Sequence, residues 1–106
     1  MPEVRELSEG ESHLAAVALL ELRPHVGTPA ALAERVDRQR SDGYRVAASF
    51  EAGEEHAAAA AGFRIGENLP WGRFLYVDDL VTRAALHGRG HAGALISWLF
   101  VEAERR

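Results

Sequence analysis

The segment with the clearest capacity for chemistry is GRGHAG, residues 88–93, in which three glycines surround Arg89, His91 and an alanine. The apolar residues after it predict a helix from Gly90 to Arg106, so the glycines lie at a helix start. Main-chain N–H groups there lack partners within the helix and carry partial positive charge, and glycine lets an anion approach them closely. Arg89 can add a charge-assisted hydrogen bond. The pattern favours a phosphate or pyrophosphate site.

This glycine segment differs from the two best-known phosphate motifs. A P-loop needs a lysine followed by Ser or Thr, and the chain contains no lysine. GRGHAG matches the dinucleotide fingerprint letter for letter, but hairpin strands rather than a βαβ unit precede it. Considered alone, the segment is explained most simply as a glycine turn that enters a helix.

Two adjacent carboxylates, Asp78 and Asp79, lie on the strongest predicted strand, Arg73 to Thr82. Successive strand residues point to opposite faces unless a bulge intervenes. A carboxylate in this position could accept a proton or bind an ammonium group. Both acids could equally be solvated where the strand ends.

Two histidines, His87 and His91, are spaced four residues apart, as metal ligands on one face of a helix often are. His87 precedes the predicted helix, however, and no third ligand is close in the sequence. We therefore expect no metal.

Composition excludes several classes of protein. The net charge of −4 gives no general attraction to nucleic acid or to an anionic membrane. The lack of cysteine excludes disulfides and a cysteine nucleophile, and the lack of lysine excludes a Schiff-base lysine. No apolar run approaches the roughly 20 residues of a membrane span, and the N-terminus lacks the features of a signal peptide. We expect a cytoplasmic chain with no nucleic-acid or membrane partner.

The predicted order of elements is β-α-α-β-β-β-α, which indicates an α/β chain of the α+β type. The first helix opens at Ser8 or Glu9, with Leu14, Val17, Ala18 and Leu22 on one face, and Pro24 ends it. The last helix is apolar nearly all round, so we expect it to be buried. The alanine run, residues 57–61, is assigned to a strand that allows close packing on both sides. The predicted strands are Glu3–Leu7, Tyr44–Glu51, a strand within residues 56–66, and Arg73–Thr82, and the second helix is Pro29–Arg40.

A resemblance gives these features a common interpretation. The segment YVDDLVTRAALHGRGHAGALI, residues 76–96, resembles the strand–turn–helix core of the GNAT superfamily of acyl-CoA-dependent N-acetyltransferases. The family signature R/Q-x-x-G-x-G/A maps to residues 87–92, with His87 where Arg or Gln is usual. The spacing from DLVT to HGRG resembles that of spermidine/spermine-type enzymes, and the element order resembles the family's N-terminal half. The implied fold is a mixed, mainly antiparallel sheet with flanking helices.

The resemblance also implies roles for individual residues. Main-chain groups of Leu80, Val81 and Thr82 would bind the pantetheine arm of acetyl-CoA, the co-substrate. The pyrophosphate would lie against His87, Gly88, Arg89, Gly90, His91, Ala92 and Gly93. Asp78 stands where polyamine-type relatives carry a glutamate, and we expect it to accept a proton, through water, or to anchor an ammonium group. The two aspartates and the acidic total favour a cationic amine as acceptor.

The family's second half has no counterpart in the 106 residues. The resemblance therefore implies one incomplete domain, residues 1–106, without the C-terminal strands and helix. We expect an N-acetyltransferase for a primary amine of a small molecule or protein, and little activity unless a partner, such as the second chain of a homodimer, closes the cleft. The first alternative is a non-catalytic acyl-CoA-binding or dimerisation module. The second is a phosphate-binding fragment with no preference for coenzyme A.

Overall fold

The computed structural model describes residues 2–105. Within them the predicted order of elements is confirmed, and the strands form one antiparallel sheet in the order β1-β2-β3-β4. Two short 3₁₀ segments, Pro24–Val26 and Ala84–Leu86, connect elements. No helix in this range is long and apolar enough to cross a membrane. The elements are β1 (Glu3–Leu7), α1 (His13–Leu22), α2 (Pro29–Arg40), β2 (Arg45–Phe50), β3 (Ala59–Asn68), β4 (Gly72–Thr82) and α3 (His91–Glu104).

The alanine run lets helices pack closely on both faces of the sheet, as predicted. Ala57 and Ala60 belong to a core formed with α1 and α2. Ala59 and Ala61 face the other way and belong to a second core, formed with α3. Because alternate strand residues point to opposite faces, this one short run serves both layers.

Helix α2 has the predicted bounds because its start is well defined. The side-chain hydroxyl of Thr28 accepts a hydrogen bond from the Ala31 N–H at 3.1 Å, and Pro29 occupies the first turn. Such a cap is worth about 1 kcal/mol. Leu32 and Val36 are buried, as their helical spacing predicted.

Helix α1 begins later than predicted. The Glu11 carboxylate accepts hydrogen bonds from the N–H and hydroxyl of Ser8, which fixes a turn at residues 8–11. The helix therefore starts at His13. Of the four residues predicted to face inward only Ala18 is fully buried, and the other buried residues of the helix are Ala15, Ala16 and Leu19.

The expectation that the last helix is buried on all sides is wrong. Leu95 and Leu99 pack on the sheet, but Phe100 is 68% exposed and Val101 is 59% exposed. The sheet covers one side of α3, and no other element among residues 2–105 covers the opposite side. The helix starts at His91 rather than Gly90, because Gly90 has a φ of 87° and acts as the N-cap.

A bulge interrupts the pairing of β3 with β4. Gly62 lies opposite Asp79, and Phe63 lies opposite Val77. Asp78 is therefore an extra residue with no partner on β3. A bulge of this kind changes the face to which a side chain points.

Candidate functional site

A cleft of about 430 Å³ lies between the end of β4 and the start of α3. Strand β4 is the last strand of the sheet, so one side of it has no neighbouring strand among residues 2–105. Nine of the ten predicted cofactor residues line the cleft, and Arg89 is the exception. The lining residues are Leu80, Val81, Thr82, Leu86, His87, Gly88, Gly90, His91, Ala92 and Gly93.

The glycine turn leaves its backbone accessible. Gly88 and Gly90 have φ angles of 83° and 87°, a conformation that residues with a side chain rarely adopt. A Cβ added at Gly88 or Gly93 would meet no atom within 4 Å, so there is free space over the backbone. Together with the unpaired N–H groups of the first turn of α3, this arrangement suits a large anion such as a pyrophosphate.

His91, the first residue of α3, points into the protein. Its ring is buried, its Nδ1 lies 2.6 Å from the Ser49 hydroxyl, and its Nε2 lies 2.6 Å from the Glu51 carboxylate. Because a carboxylate only accepts, Nε2–H donates to Glu51, and in the neutral ring Nδ1 accepts from the Ser49 hydroxyl. The side chain therefore fastens the start of α3 to the end of β2, and its main chain faces the cleft.

Glu51 also holds Arg89. A guanidinium nitrogen of Arg89 donates to the second carboxylate oxygen of Glu51 at 2.8 Å. The hydrogen bond from His91, followed by the bond and charge of Arg89, keeps the pKa of Glu51 below its ordinary value, although burial acts in the opposite direction. Arg89 therefore stabilises the turn from outside the cleft, and its side chain is engaged elsewhere than the phosphate contact that we expected.

His87 lines the cleft but is also engaged. Its Nε2–H donates to the main-chain carbonyl of Thr82 at 2.9 Å. This contact closes the turn between β4 and α3. Among residues 2–105 no group of three or more His, Cys, Asp or Glu side chains could hold a metal ion.

A second cavity, of about 330 Å³, lies on the α1–α2 side of the sheet. Asp79 lines this cavity, while its neighbour Leu80 lines the cleft. Consecutive residues of β4 thus separate the two spaces. The cavity is lined by Leu19, Arg23, His25, Val26, Leu32, Arg35, Val36, Gln39, Tyr44 and Asp79.

Asp78 and Asp79 both contact groups on the α1–α2 side. The bulge explains this departure from strand alternation. Asp79 accepts from Arg23 at 2.9 Å through one oxygen and from the Tyr44 hydroxyl at 2.7 Å through the other. One oxygen of Asp78 accepts from Arg64 at 3.0 Å. No hydrogen bond to its other oxygen is found among the described residues.

Tyr44 is a neutral donor in this cluster. Burial and the neighbouring Asp79 carboxylate raise the pKa of its hydroxyl well above the ordinary value. The side chain crosses β3 directly over Gly62, where a Cβ would overlap the hydroxyl group. Gly62 therefore allows Tyr44 to reach Asp79.

Several residues of these networks were not singled out from the sequence. Tyr44 and Glu51 were treated only as the ends of a predicted strand, and Ser49 as an ordinary residue within it. The one available signal was Ser49, a small polar residue between the apolar neighbours Ala48 and Phe50. Its partner His91 is 42 residues away, and only the fold brings the two together.

Comparison with known proteins supports the predicted architecture. Scans against protein-family models and against curated proteins found no match. Among solved structures, a ribosomal-protein-alanine N-acetyltransferase from Brucella melitensis biovar Abortus 2308 has a TM-score of 0.83 at 21% identity, over 100% of this chain and 74% of that chain.

Two further solved structures agree with it. A GNAT family acetyltransferase from Staphylococcus aureus has a TM-score of 0.76 at 13% identity, over 98% of this chain and 78% of its own. A predicted acetyltransferase with acetyl-CoA from Clostridium acetobutylicum has a TM-score of 0.71 at 17% identity, over 100% of this chain and 75% of that chain. This chain therefore has the fold of the GNAT acetyltransferases.

Proposed function

We propose that the chain is an N-acetyltransferase that transfers an acetyl group from acetyl-CoA to a primary amine. The observation that carries the proposal is the cleft, which joins an unpaired strand edge to an open glycine turn at a helix start. An extended arm that contains amides can pair with the free edge of a strand. A pyrophosphate suits the glycine turn, and the two features together suit coenzyme A better than a simple phosphate.

The binding groups in this proposal are main-chain atoms. Leu80, Val81 and Thr82 offer the edge of β4 to the pantetheine arm. The turn from Gly88 and the first turn of α3 offer N–H groups to the pyrophosphate, and the Ser49–His91–Glu51–Arg89 network holds these N–H groups in place. The side chains of His87 and Arg89 already have partners within the chain, so we assign them to the shape of the turn.

Acetyl-CoA supplies an activated acetyl group as a thioester. The amine nitrogen forms a bond to the acetyl carbon as the carbon–sulfur bond breaks, and the products are an amide and the free thiol. The amine must lose one proton, and the thiolate must gain one. We propose Asp78 as the acceptor of the amine proton, through water, because one of its carboxylate oxygens is not used by Arg64.

The acceptor site in this proposal is the second cavity. Asp79 lines it and is bonded directly to Leu80 of the cleft, so an amine held there would be close to the thioester. A volume of about 330 Å³ is within the range of sites for small molecules. We therefore favour a small amine over a protein as acceptor, although the name of one structural neighbour refers to a ribosomal-protein alanine.

A dimerisation module is the second candidate function. It is favoured by the free edge of β4 and by the exposed side chains Ile96, Phe100 and Val101 on α3. Exposed edges and apolar patches promote association. Analytical ultracentrifugation tests the homodimer that we expected, and a monomer at all concentrations would count against it.

One experiment separates catalysis from binding. Isothermal titration with coenzyme A measures occupancy of the cleft, and a thiol-release assay with acetyl-CoA and a panel of amines measures transfer. We expect both binding and turnover. Binding without turnover would support a non-catalytic acyl-CoA-binding module, and no binding to the folded chain would reject both the transferase and that acyl-CoA-binding module. A Gly93→Glu variant, which adds a negative side chain to the cleft, serves as the negative control for binding.

A further inference from the structure

The charges that line the second cavity indicate which amine it takes. The sequence favoured a cationic acceptor because of its two adjacent aspartates. In the folded chain, however, both aspartates already have cationic partners. The net charge of the cavity wall therefore depends on the charged lining residues that have no partner of opposite charge.

Asp79 is fully engaged. Its carboxylate accepts from Nε of Arg23 at 2.9 Å, lies 2.8 Å from Nη2 of the same guanidinium, and accepts from the Tyr44 hydroxyl at 2.7 Å. An ammonium group that used Asp79 as its anchor would have to displace one of these donors. The pairing of Asp79 with Arg23 also makes the net charge of the two groups zero.

Arg35 is the cavity-lining cation without a counterion. It projects from α2, and no hydrogen bond or ion pair to it is found in the part of the chain that the structure describes. Its neighbour Glu34 is paired with Arg38 at 2.9 Å. His25 also lines the cavity and likewise has no hydrogen-bond partner among residues 2–105. The cavity therefore has a net positive charge at its wall.

We propose that the acceptor is a small molecule that carries a carboxylate or phosphate in addition to its primary amine. Arg35 binds the anionic group with a charge-assisted hydrogen bond, and His25 can add a second donor. The apolar side chains of Leu19, Leu32 and Val36 contact the carbon chain between the two groups. This inference rests on the proposed acetyl transfer and names its substrate class.

Matched pairs of amines test the proposal. The acceptors are 4-aminobutyrate against 4-aminobutanamide, O-phosphoethanolamine against O-methylethanolamine, and 1,4-diaminobutane as a dication. Values of kcat/KM come from thiol release with acetyl-CoA. A hydrogen bond to a charged group is worth about 1.5–3 kcal/mol, so we expect the anionic member of at least one pair to be preferred by about 10- to 100-fold. The pair that shows the preference distinguishes carboxylate from phosphate.

Arg35→Gln tests whether Arg35 binds the anionic group. The Arg35 side chain is exposed, so its replacement should not affect folding. We expect KM for the preferred anionic acceptor to rise by about 10- to 100-fold, with the neutral analogue changed by less than about threefold. Arg38→Gln, one turn away on α2 and outside the cavity lining, is the matched control and should behave like the unmodified chain.

Three results would overturn the substrate class but leave acetyl transfer intact. They are equal use of anionic and neutral amines, preference for the dication, and an equal effect of Arg35→Gln on all acceptors. If no amine turns over, titration of the two anionic compounds, followed by NMR shifts of His25 that Arg35→Gln abolishes, decides the question. Absence of such shifts also overturns the substrate class. Failure of the chain to bind coenzyme A would instead reject the proposed function.

Discussion

On the α1–α2 side of the sheet, the side chain of Tyr44 occupies the space in which a Cβ of residue 62 would lie. A Cβ at residue 62 would overlap the hydroxyl and ring of Tyr44, so the tyrosine can cross β3 only because residue 62 is glycine. The crossing brings the hydroxyl to Asp79 on β4, where it donates at 2.7 Å. Gly62 also stands at the bulge that adds Asp78 to β4. Gly62 thus allows the tyrosine to reach Asp79, next to the bulged residue Asp78.

Gly62→Ala should displace Tyr44 and break its bond to Asp79. Overpacking of a core typically costs about 1–3 kcal/mol, and we expect a loss of stability in that range. Urea unfolding followed by circular dichroism measures it. Gly93→Ala is the control, because a Cβ there meets nothing within 4 Å and the residue is helical. The control should be neutral or slightly stabilising. Equal stability of the two variants would show that Tyr44 can move aside at no cost.

The sequence predicts those features of the fold that depend on local chemistry. Thr28 and Pro29 define the start of α2, and the glycine turn marks the cleft, because caps and turns depend on a few neighbouring residues. Apolar residues lie nearly all round α3, and this led to the wrong prediction that the helix is buried on all sides. Burial depends on which elements cover a helix and not on its own composition. The polar network of His91 was not predictable, since its partners Ser49 and Glu51 come from a distant strand.

The bond between Ser49 and His91 should contribute measurably to stability. Both side chains are buried, so His91→Leu leaves the Ser49 hydroxyl without a partner, and Ser49→Ala leaves Nδ1 without one. We expect each change to cost about 1–3 kcal/mol. The double variant should cost less than the sum of the two, with a coupling of at least about 0.5 kcal/mol. Denaturant unfolding of all four forms measures the cycle, and strictly additive costs would contradict the bond.

The carboxylate of Glu51 should make the fold sensitive to acid. Its pKa is lowered in the folded chain by the hydrogen bond from His91 and by Arg89. The stabilisation is therefore present above the ordinary glutamate value of about 4.3, and it is lost as the pH falls through the lowered value. Thermal melts between about pH 7 and pH 3 should show Glu51→Gln less stable than the unmodified chain at neutral pH, with the difference closing in acid.

Glu54→Gln is the control for that titration. Glu54 is exposed, and no hydrogen bond or ion pair of its side chain is found among residues 2–105. Its substitution should leave the slope of stability against pH unchanged. If the curves of Glu51→Gln and the unmodified chain run parallel down to acid pH, the carboxylate does not contribute in the way that we describe.

Asp78 and Asp79 should differ in what their removal changes. Asp78 keeps one oxygen that no described residue uses, so Asp78→Asn should lower kcat by about 10²- to 10⁴-fold if it accepts the amine proton. Its bridge to Arg64 is partly exposed, so the loss of stability should stay below about 1 kcal/mol. Asp79→Asn, by contrast, disturbs the contacts to Arg23 and Tyr44, and we expect about 1–3 kcal/mol of destabilisation together with a raised KM for the amine.

Both aspartate variants should bind coenzyme A as the unmodified chain does, because neither side chain lines the cleft. Calorimetry with coenzyme A therefore shows whether a loss of activity is due to the acceptor side of the reaction. The two variants are separated by their kinetics, since a proton acceptor changes kcat and an acceptor-cavity residue changes KM. If Asp79→Asn lowers kcat more than Asp78→Asn does at saturating amine, the roles of the two carboxylates must be exchanged. The bulge at Gly62 would then serve to point Asp79, rather than Asp78, at the amine.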